Sequence, residues 1–379
     1  MSCTPLHSTP EQIPSLTGAR GLAAVWVLLF HLWQTQGQPH VGFGMLDLTP
    51  FLACGYFGVD LFFVLSGYLL APPFIRARMG LAPAPHLGLF WEHRCRRVLP
   101  AYVVQLAVLL AIAGYQGKEI PPQDIASHLT LTFNLFNNTS SLNPVYWSMP
   151  VEWNFYILLP LLALGFSRHR GLPWIVPAAI MFSVGFRILC VMALNTWGVD
   201  GLPYYRWIIQ LPARLDQFSF GMGAAWLVLS GRGQALSRLA TPIGLLILIP
   251  LMIRVAPLGD VFAEVRQPWL YYHCTLVGLA MACLILALSV HPTGLSARLL
   301  ASPPAVFLGT ISYSLYLWHF PILDWLQRLP FLPVSSRRFF LAALITCIVG
   351  ACISYCLVEA RFLKRRRGPE DHCERPANP

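Results

Sequence analysis

The amino-acid sequence predicts an all-α membrane protein, a polytopic bundle of about ten transmembrane helices. The first observation is composition: the 379 residues are 56% hydrophobic and only 11% charged, and the mean hydropathy is +0.59. Soluble domains carry roughly 25% charged residues, so this chain has too little charge to surround a soluble core. The second observation is that apolar segments of about 20 residues, the length that spans a bilayer, recur along the chain. The composition therefore excludes a water-soluble enzyme and a disordered chain.

Ten segments have the length and hydropathy expected of a transmembrane helix. They lie at 16–36, 52–74, 98–115, 145–166, 173–194, 207–230, 239–257, 269–290, 304–326 and 338–359. The longest loops between them, 75–97 and 116–144, are too short to fold alone. We therefore expect one transmembrane domain at 16–359, preceded by a tail at 1–15 and followed by a basic tail at 360–379.

The formal net charge of +10 is explained by membrane orientation. Most Lys and Arg residues fall in alternate loops and in the tail after residue 360, and basic residues mark the cytoplasmic side. Both termini are therefore predicted to be cytoplasmic, and no nucleic-acid partner is expected. The ten cysteines show no zinc-like spacing, so neither a disulfide framework nor a metal site is predicted.

Several ionisable side chains fall inside the apolar segments, where they are costly and commonly functional. Counting a rise of ~1.5 Å per residue from the segment ends places five of them, from five segments, at one depth. These five are His31, Asp60, Glu152, Arg214 and His319. We predict that they line one cavity in the outer half of the membrane, with at least one carboxylate within hydrogen-bond reach of His31. A channel should connect that cavity to Arg94 and Arg97 on the cytoplasmic side.

Six short motifs occur in order along nearly the whole chain. They are residues 16–24 followed by Phe30-His31, with Arg20 eleven residues before His31; residues 58–68; Arg94-Cys95-Arg96-Arg97; Trp147-Ser148 followed by Glu152 and Tyr156; residues 311–319; and Leu357-Val358-Glu359. Together these motifs resemble the acyltransferase-3 family of integral-membrane proteins. The resemblance covers about residues 15–362, and six ordered motifs are far more specific than one.

The resemblance implies transfer of an acyl group, with acetyl preferred, from acyl-CoA to a hydroxyl group. The acceptor it implies is a cell-surface or exported polysaccharide or glycolipid, such as a glycan or a lipid-linked sugar. The protein would then lie in the bacterial inner (cytoplasmic) membrane, with the lipid bilayer as its surroundings. A small secondary metabolite is an alternative acceptor. The oligomeric state stays open.

A non-enzymatic solute transporter is the alternative from another functional class. Transporters also bury charged groups, but many are built from two corresponding halves with helices broken at matched positions. The sequence shows no such duplication. The enzyme hypothesis is therefore preferred.

His31 is predicted to be the catalytic base. O-acylation requires a group that takes the hydroxyl proton as the oxygen attacks the thioester, and histidine titrates near working pH. A neighbouring carboxylate could fix the tautomer of the imidazole, and Asp60 and Glu152 both have the depth for that role. The sequence does not choose between them, and a covalent acyl-histidine route also stays open.

Arg94 and Arg97 are predicted to bind the donor. They are one helical turn apart, so both guanidinium groups can lie on one face. The planar guanidinium fork matches phosphate oxygens, which coenzyme A carries in its pyrophosphate and 3′-phosphate groups. Arg20 is grouped with them as a donor-binding residue. The predicted substrate cavity is completed by Arg214, His319, Ser66 and Tyr156.

Overall fold

The computed structural model describes residues 13–44, 46–135, 142–167, 173–197, 206–258 and 271–363. Most of the two predicted tails therefore lies outside the described residues. Within these ranges, six helices are long and apolar enough to cross a membrane, and two bent helix pairs would bring the number of spans to eight. The predicted all-α membrane architecture is confirmed at this level, whereas the count of ten helices and the cytoplasmic placement of the termini are not.

Helices make up most of the described chain, and one short antiparallel strand pair joins Gly42–Phe43 to Leu46–Asp47. The helices are α1 (Pro14–Thr35), α2 (Thr49–Ala53), α3 (Phe57–Leu70), α4 (Pro72–Arg78), α5 (Leu87–Tyr115), α6 (Pro122–Leu129), α7 (Ser148–Leu162), α8 (Ile175–Trp197), α9 (Leu211–Leu229), α10 (Gly233–Val255), α11 (His273–Val290), α12 (Leu295–Leu300), α13 (Pro303–Thr310), α14 (Ser312–Leu326), α15 (Arg337–Ser354) and α16 (Ala360–Leu363).

Two of the ten predicted segments, 145–166 and 207–230, form helices that do not qualify as spans by length and composition. The first contains α7, which has only 15 residues because a short 3₁₀ turn at Pro144–Trp147 precedes it. The second contains α9, which carries polar residues but is almost entirely buried by its neighbours. Since α9 faces protein rather than lipid, its polar groups are compatible with membrane depth.

Helix α1 lies at the centre of the bundle. It packs against α3, α14 and the short helices α12 and α13. At Gly18 the backbone of α1 approaches so closely that an added Cβ atom would collide with the carbonyl oxygen of Leu300. Small residues permit such close helix approach inside membranes, where packing drives association.

Helices α3 and α9 form a second close pair. A Cβ atom added at Gly67 of α3 would collide with the carbonyl oxygen of Phe218 on α9. Helices α8 and α11 pack on the other sides of α9. Helix α3 also packs against α1, so α1, α3 and α9 form a continuous core.

The connection between α5 and α7 is tied to the bundle by buried hydrogen bonds. Tyr102 of α5 donates its Oη–H to the carbonyl oxygen of His128 at 3.0 Å. Asn143 donates its Nδ2–H to the carbonyl oxygen of Leu317 on α14, also at 3.0 Å. The first turn of α7 is therefore fixed against α14, which carries one of the predicted histidines.

Candidate active site

A cavity of about 440 Å³ lies among α1, α3, α5, α7 and α14. Six predicted site residues line it: Arg20 of α1, Ser66 of α3, Arg94 and Arg97 of α5, and Glu152 and Tyr156 of α7. Among the described lining residues Glu152 is the only acid, so basic groups outnumber acidic ones. Such a cavity has the charge to bind a polyanion.

Arg94 and Arg97 enter the cavity from the first third of α5. This helix begins at Leu87, where the side chain of His86 accepts a hydrogen bond from the backbone N–H of Leu89 at 3.3 Å. The sequence placed both arginines at the entrance of a helix starting near residue 98, whereas they lie well inside a longer helix. Their shared face is a consequence of helical spacing, as predicted.

The guanidinium group of Arg97 is oriented by a carboxylate from the far end of the chain. Its Nη1 atom lies 3.3 Å from Oε2 of the buried Glu359, and Ser314 of α14 donates to Oε1 of Glu359 at 2.5 Å. Glu359 ends a π-helical turn that runs from Tyr355 to Glu359. Such turns are frequent at functional sites. Arg97 is therefore held in place by two other helical segments.

Glu152 also points into the cavity. Ser66 of α3 donates its Oγ–H to Oε1 of Glu152 at 2.7 Å. This bond joins α3 to α7 at the level of the arginines. Glu152 thus belongs to the arginine cavity rather than to the surroundings of His31.

His31 and His319 face each other across α1 and α14. His319 Nε2 lies 3.1 Å from His31 Nδ1, and the ring centroids are 5.0 Å apart. His319 is fully buried and His31 is half-buried. The aromatic rings of Phe30 and Phe320 contact His31 edge-on, with centroids at 5.0 and 5.4 Å. The histidine pair is therefore enclosed by apolar rings and has a fixed orientation.

Asp60 and Arg214 form a buried ion pair between α3 and α9. Asp60 Oδ1 lies 3.0 Å from Arg214 Nη1 and accepts a second hydrogen bond from Gln217 Nε2 at 2.7 Å. A neighbouring buried pair joins Arg187 to Asp216 at 2.9 Å. Two cations thus face two carboxylates, so the network of α3, α8 and α9 is balanced in charge.

The structure therefore divides the ten predicted site residues into three groups: the arginine cavity, the histidine pair and the ion pair. The prediction that five groups line one cavity is wrong, because only Glu152 of the five lines it. The expected carboxylate beside His31 is also wrong. His31 Nδ1 contacts His319 and the carbonyl oxygen of Val27, while Asp60 and Glu152 bind other partners.

Tyr316 of α14 connects the arginine cavity to the histidine pair. Its ring lines the cavity and lies 5.9 Å from the ring of His319, one helical turn further along α14. Its hydroxyl donates to the carbonyl oxygen of Val145 at 2.8 Å and lies 2.8 Å from Ser148 Oγ. Neither histidine lines the cavity, so the predicted channel ends at Tyr316 rather than at His31.

Sequence reasoning did not assign Tyr316 or Glu359 to the site. Glu359 gave a signal, since it is a carboxylate at the end of an apolar segment. Tyr316 lies within the motif at 311–319, but a tyrosine in an apolar helix is common, so the residue itself did not indicate a role. Among the described residues, no group of three or more His, Cys, Asp or Glu side chains is arranged to hold a metal ion.

A family model described as an acyltransferase domain matches residues 13–358, which is most of the chain. The chain belongs to the acyltransferase-3 family. The resemblance predicted from the six motifs is thereby confirmed. The residues that form the arginine cavity and the histidine pair all lie within or next to the matched region.

Two relatives show how this chain compares with longer family members. The O-acetyltransferase OatA of Staphylococcus aureus is 25% identical over 377 residues, which cover 94% of this chain and 58% of the relative. The peptidoglycan O-acetyltransferase OatA of Listeria monocytogenes is 26% identical over 336 residues, which cover 83% of this chain and 50% of the relative. The chain thus spans about half the length of these proteins. No solved structure matches it significantly.

Proposed function

We propose that this protein is a membrane O-acetyltransferase of the bacterial cytoplasmic membrane. It transfers an acetyl group from acetyl-CoA to a hydroxyl group of cell-wall glycan, with peptidoglycan as the acceptor class. The observation that carries the proposal is the cavity lined by Arg20, Arg94 and Arg97, which ends one helical turn from His319. Family membership favours this function over solute transport.

The arginine cavity fits the donor. Coenzyme A carries a pyrophosphate and a 3′-phosphate, and three guanidinium groups can bind these oxygens in bidentate geometry. Arg97 is already oriented by Glu359, so little side-chain freedom is lost when it binds a phosphate. The pantetheine arm would then extend past Tyr316 toward His31. Along α1, Arg20 and His31 are separated by eleven residues, or about 16 Å of helix rise.

His31 supplies the base. Its Nε2 takes the proton of the acceptor hydroxyl as the oxygen attacks the carbonyl carbon of the thioester. The tetrahedral intermediate collapses with breakage of the carbon–sulfur bond, and the departing sulfur receives the proton from His31. An alternative route, in which Nε2 attacks first and forms an acetyl-histidine, uses the same nitrogen. Rapid quenching followed by mass spectrometry of the His31 peptide separates the two routes.

The relatives support the choice of acceptor. Both are named O-acetyltransferases, and the Listeria monocytogenes protein is named for peptidoglycan. His31 is half-buried, so part of its surface is open to an acceptor hydroxyl group. A glycan on the outer face and a donor on the cytoplasmic face could then meet within one bundle.

The test uses the purified full chain, acetyl-CoA and soluble peptidoglycan glycan fragments. We expect release of free CoA and a glycan product heavier by one acetyl group. His31→Gln should abolish both, whereas His40→Gln, which changes an exposed loop histidine, should leave both unchanged. Acetylation of small hydroxyl compounds without acetylation of glycan would contradict the proposed acceptor. Full activity of His31→Gln would contradict the proposed base.

A further inference from the structure

Each histidine of the pair has a backbone carbonyl oxygen beside its Nδ1 atom, and this contact shows which ring nitrogen carries hydrogen. Nδ1 of His319 lies 3.1 Å from the carbonyl oxygen of Leu315, and Nδ1 of His31 lies 3.0 Å from the carbonyl oxygen of Val27. A carbonyl oxygen only accepts, so both Nδ1 atoms carry hydrogen. In a neutral imidazole the other nitrogen then has a free lone pair. His319 Nε2 is therefore an acceptor, and it lies 3.1 Å from His31 Nδ1, whose single hydrogen it shares with the carbonyl oxygen of Val27.

We propose that His319 is a positioning residue that holds His31 with its Nε2 lone pair free and stabilises, through the Nδ1–H of His31, the positive charge that His31 gains during transfer. This inference rests on the proposed function, in which His31 is the base. It assigns to a second histidine the role that the sequence had reserved for Asp60 or Glu152. His319 does not touch the substrate in this scheme and acts through His31.

The Val27 carbonyl oxygen cannot perform this role alone. In helix α1 that oxygen also accepts the backbone N–H of His31, so it is already engaged. A carbonyl oxygen also cannot take up a proton at working pH, whereas an imidazole nitrogen can. His319 Nε2 therefore provides both a directional acceptor and a temporary site for positive charge.

A histidine partner is suited to the apolar surroundings of this pair. A carboxylate there would carry a permanent charge, which is costly to bury unless it is fully paired. The two neutral imidazoles carry no charge until the reaction begins. No described carboxylate is hydrogen-bonded to either ring, so no acid in the described part of the chain stabilises a charged imidazolium there.

Every proton released in the proposed transfer step is taken up by a named atom. The acceptor O–H bond breaks, its proton binds His31 Nε2, and the Nδ1–H of His31 shifts toward His319 Nε2 as positive charge develops. When the carbon–sulfur bond of the thioester breaks, the proton on His31 Nε2 passes to the departing sulfur and the Nδ1 proton returns. No oxidant, reductant or further reactant is required.

Three substitutions of His319 test the role. The Oε1 atom of Gln can occupy the place of histidine Nε2 and accept from His31, whereas the shorter Asn reaches only the place of Nδ1, and Leu has no acceptor. We expect kcat to fall about 100-fold in His319→Asn and His319→Leu, with a smaller fall of about tenfold in His319→Gln. The KM for acetyl-CoA should be unchanged in all three, since His319 does not line the donor cavity.

The outcomes separate this inference from the proposed function. Inactive His31→Gln together with fully active His319 variants would overturn the role of His319 and leave the proposed function standing. Equal losses in His319→Gln and His319→Leu would also overturn it, because acceptor geometry would then be irrelevant. If His31→Gln itself is fully active, the proposed role of His31 as the base is contradicted, and the role of His319 is contradicted with it.

A second measurement does not depend on the folding of any His319 variant. The unmodified protein, labelled with ¹⁵N-histidine, and His31→Gln are compared by solid-state NMR to identify the signals of His31. We expect Nδ1 of His31 to be protonated and Nε2 to be unprotonated at neutral pH. A spectrum with the proton on Nε2 would overturn the inference.

Discussion

Arg97 and Glu359 are 262 residues apart in the sequence, yet their side chains form an ion pair with 3.3 Å between Nη1 and Oε2. The carboxylate of Glu359 is buried, whereas the guanidinium group of Arg97 reaches the wall of the cavity. Ser314 of α14 holds the second oxygen of the same carboxylate. One carboxylate therefore connects the arginine cavity with the helix that carries His319.

Arg97→Lys should weaken donor binding without removing charge. Lysine cannot form two parallel hydrogen bonds to a phosphate, and it also loses the orientation that Glu359 gives to the guanidinium group. We expect the KM for acetyl-CoA to rise about tenfold with kcat little changed. Steady-state kinetics of the purified protein measure this, with Arg78→Lys on the exposed end of α4 as the control. An unchanged KM, with loss only of protein abundance, would mean that Arg97 serves only to anchor its helix in the membrane.

Asp60→Asn should lower stability. It removes one charge of the buried pair and leaves the cation of Arg214 without its carboxylate, which costs about 3–5 kcal/mol in comparable sites. Thermal unfolding in detergent should therefore shift downward, whereas Asp47→Asn in the exposed hairpin should change little. A normal unfolding temperature combined with complete loss of transfer would instead restore Asp60 to the catalytic role predicted from the sequence.

Gly67→Ala should disrupt the contact between α3 and α9. The added Cβ atom would collide with the Phe218 carbonyl oxygen, which belongs to a rigid helix backbone. Gly185→Ala in α8 is the matched control, since its Cβ meets no atom within 4 Å. Alanine favours a helix over glycine by about 1 kcal/mol, so Gly185→Ala should preserve or raise stability. Equal unfolding temperatures for the two variants would show that α3 and α9 are less closely packed in the protein than the structure indicates.

His128 should make the protein less stable in mild acid. It lies on α6, in the connection outside the spanning helices, and burial lowers its pKa below the usual 6.5. The unfolded chain binds a proton at His128 below that pH while the folded state resists it, so stability falls as the pH drops toward the folded pKa. We expect the unfolding temperature to fall less between pH 7 and pH 5 in His128→Gln than in the unmodified protein. Identical falls in both would exclude His128 as a source of acid sensitivity.

The sequence predicted α1 well, since the apolar segment 16–36 corresponds to Pro14–Thr35. It also grouped Arg20, Arg94 and Arg97, and these three side chains line one cavity. The depth of each group was less predictable. Depth was counted from segment ends, and segment ends can differ from helix ends: α5, which carries none of the five groups, begins at Leu87 rather than near residue 98, about 16 Å earlier along the helix.

The grouping of Glu152 was wrong for a related reason. Asn143, which precedes α7, is hydrogen-bonded to α14, so the position of α7 is set by packing that its own apolar segment does not reveal. Glu152 consequently meets Ser66 at the level of the arginines. The partner of His31 could not be predicted either, because contact between α1 and α14 depends on packing across 288 residues of chain.

Helix α1 carries Arg20 at one end of the proposed reaction path and His31 at the other, and no break interrupts it. Since α3, α12, α13 and α14 surround this helix, the two side chains cannot move closer together without unpacking the bundle. The helix therefore fixes the distance between the site that would bind the donor phosphates and the proposed base. A thioester on a long flexible arm can be anchored by its phosphates and still present its carbonyl carbon to His31. Acetyl phosphate has no such arm, so the arginines would hold its acetyl group far from the base. Donor choice in this protein would then be a matter of molecular length as well as charge.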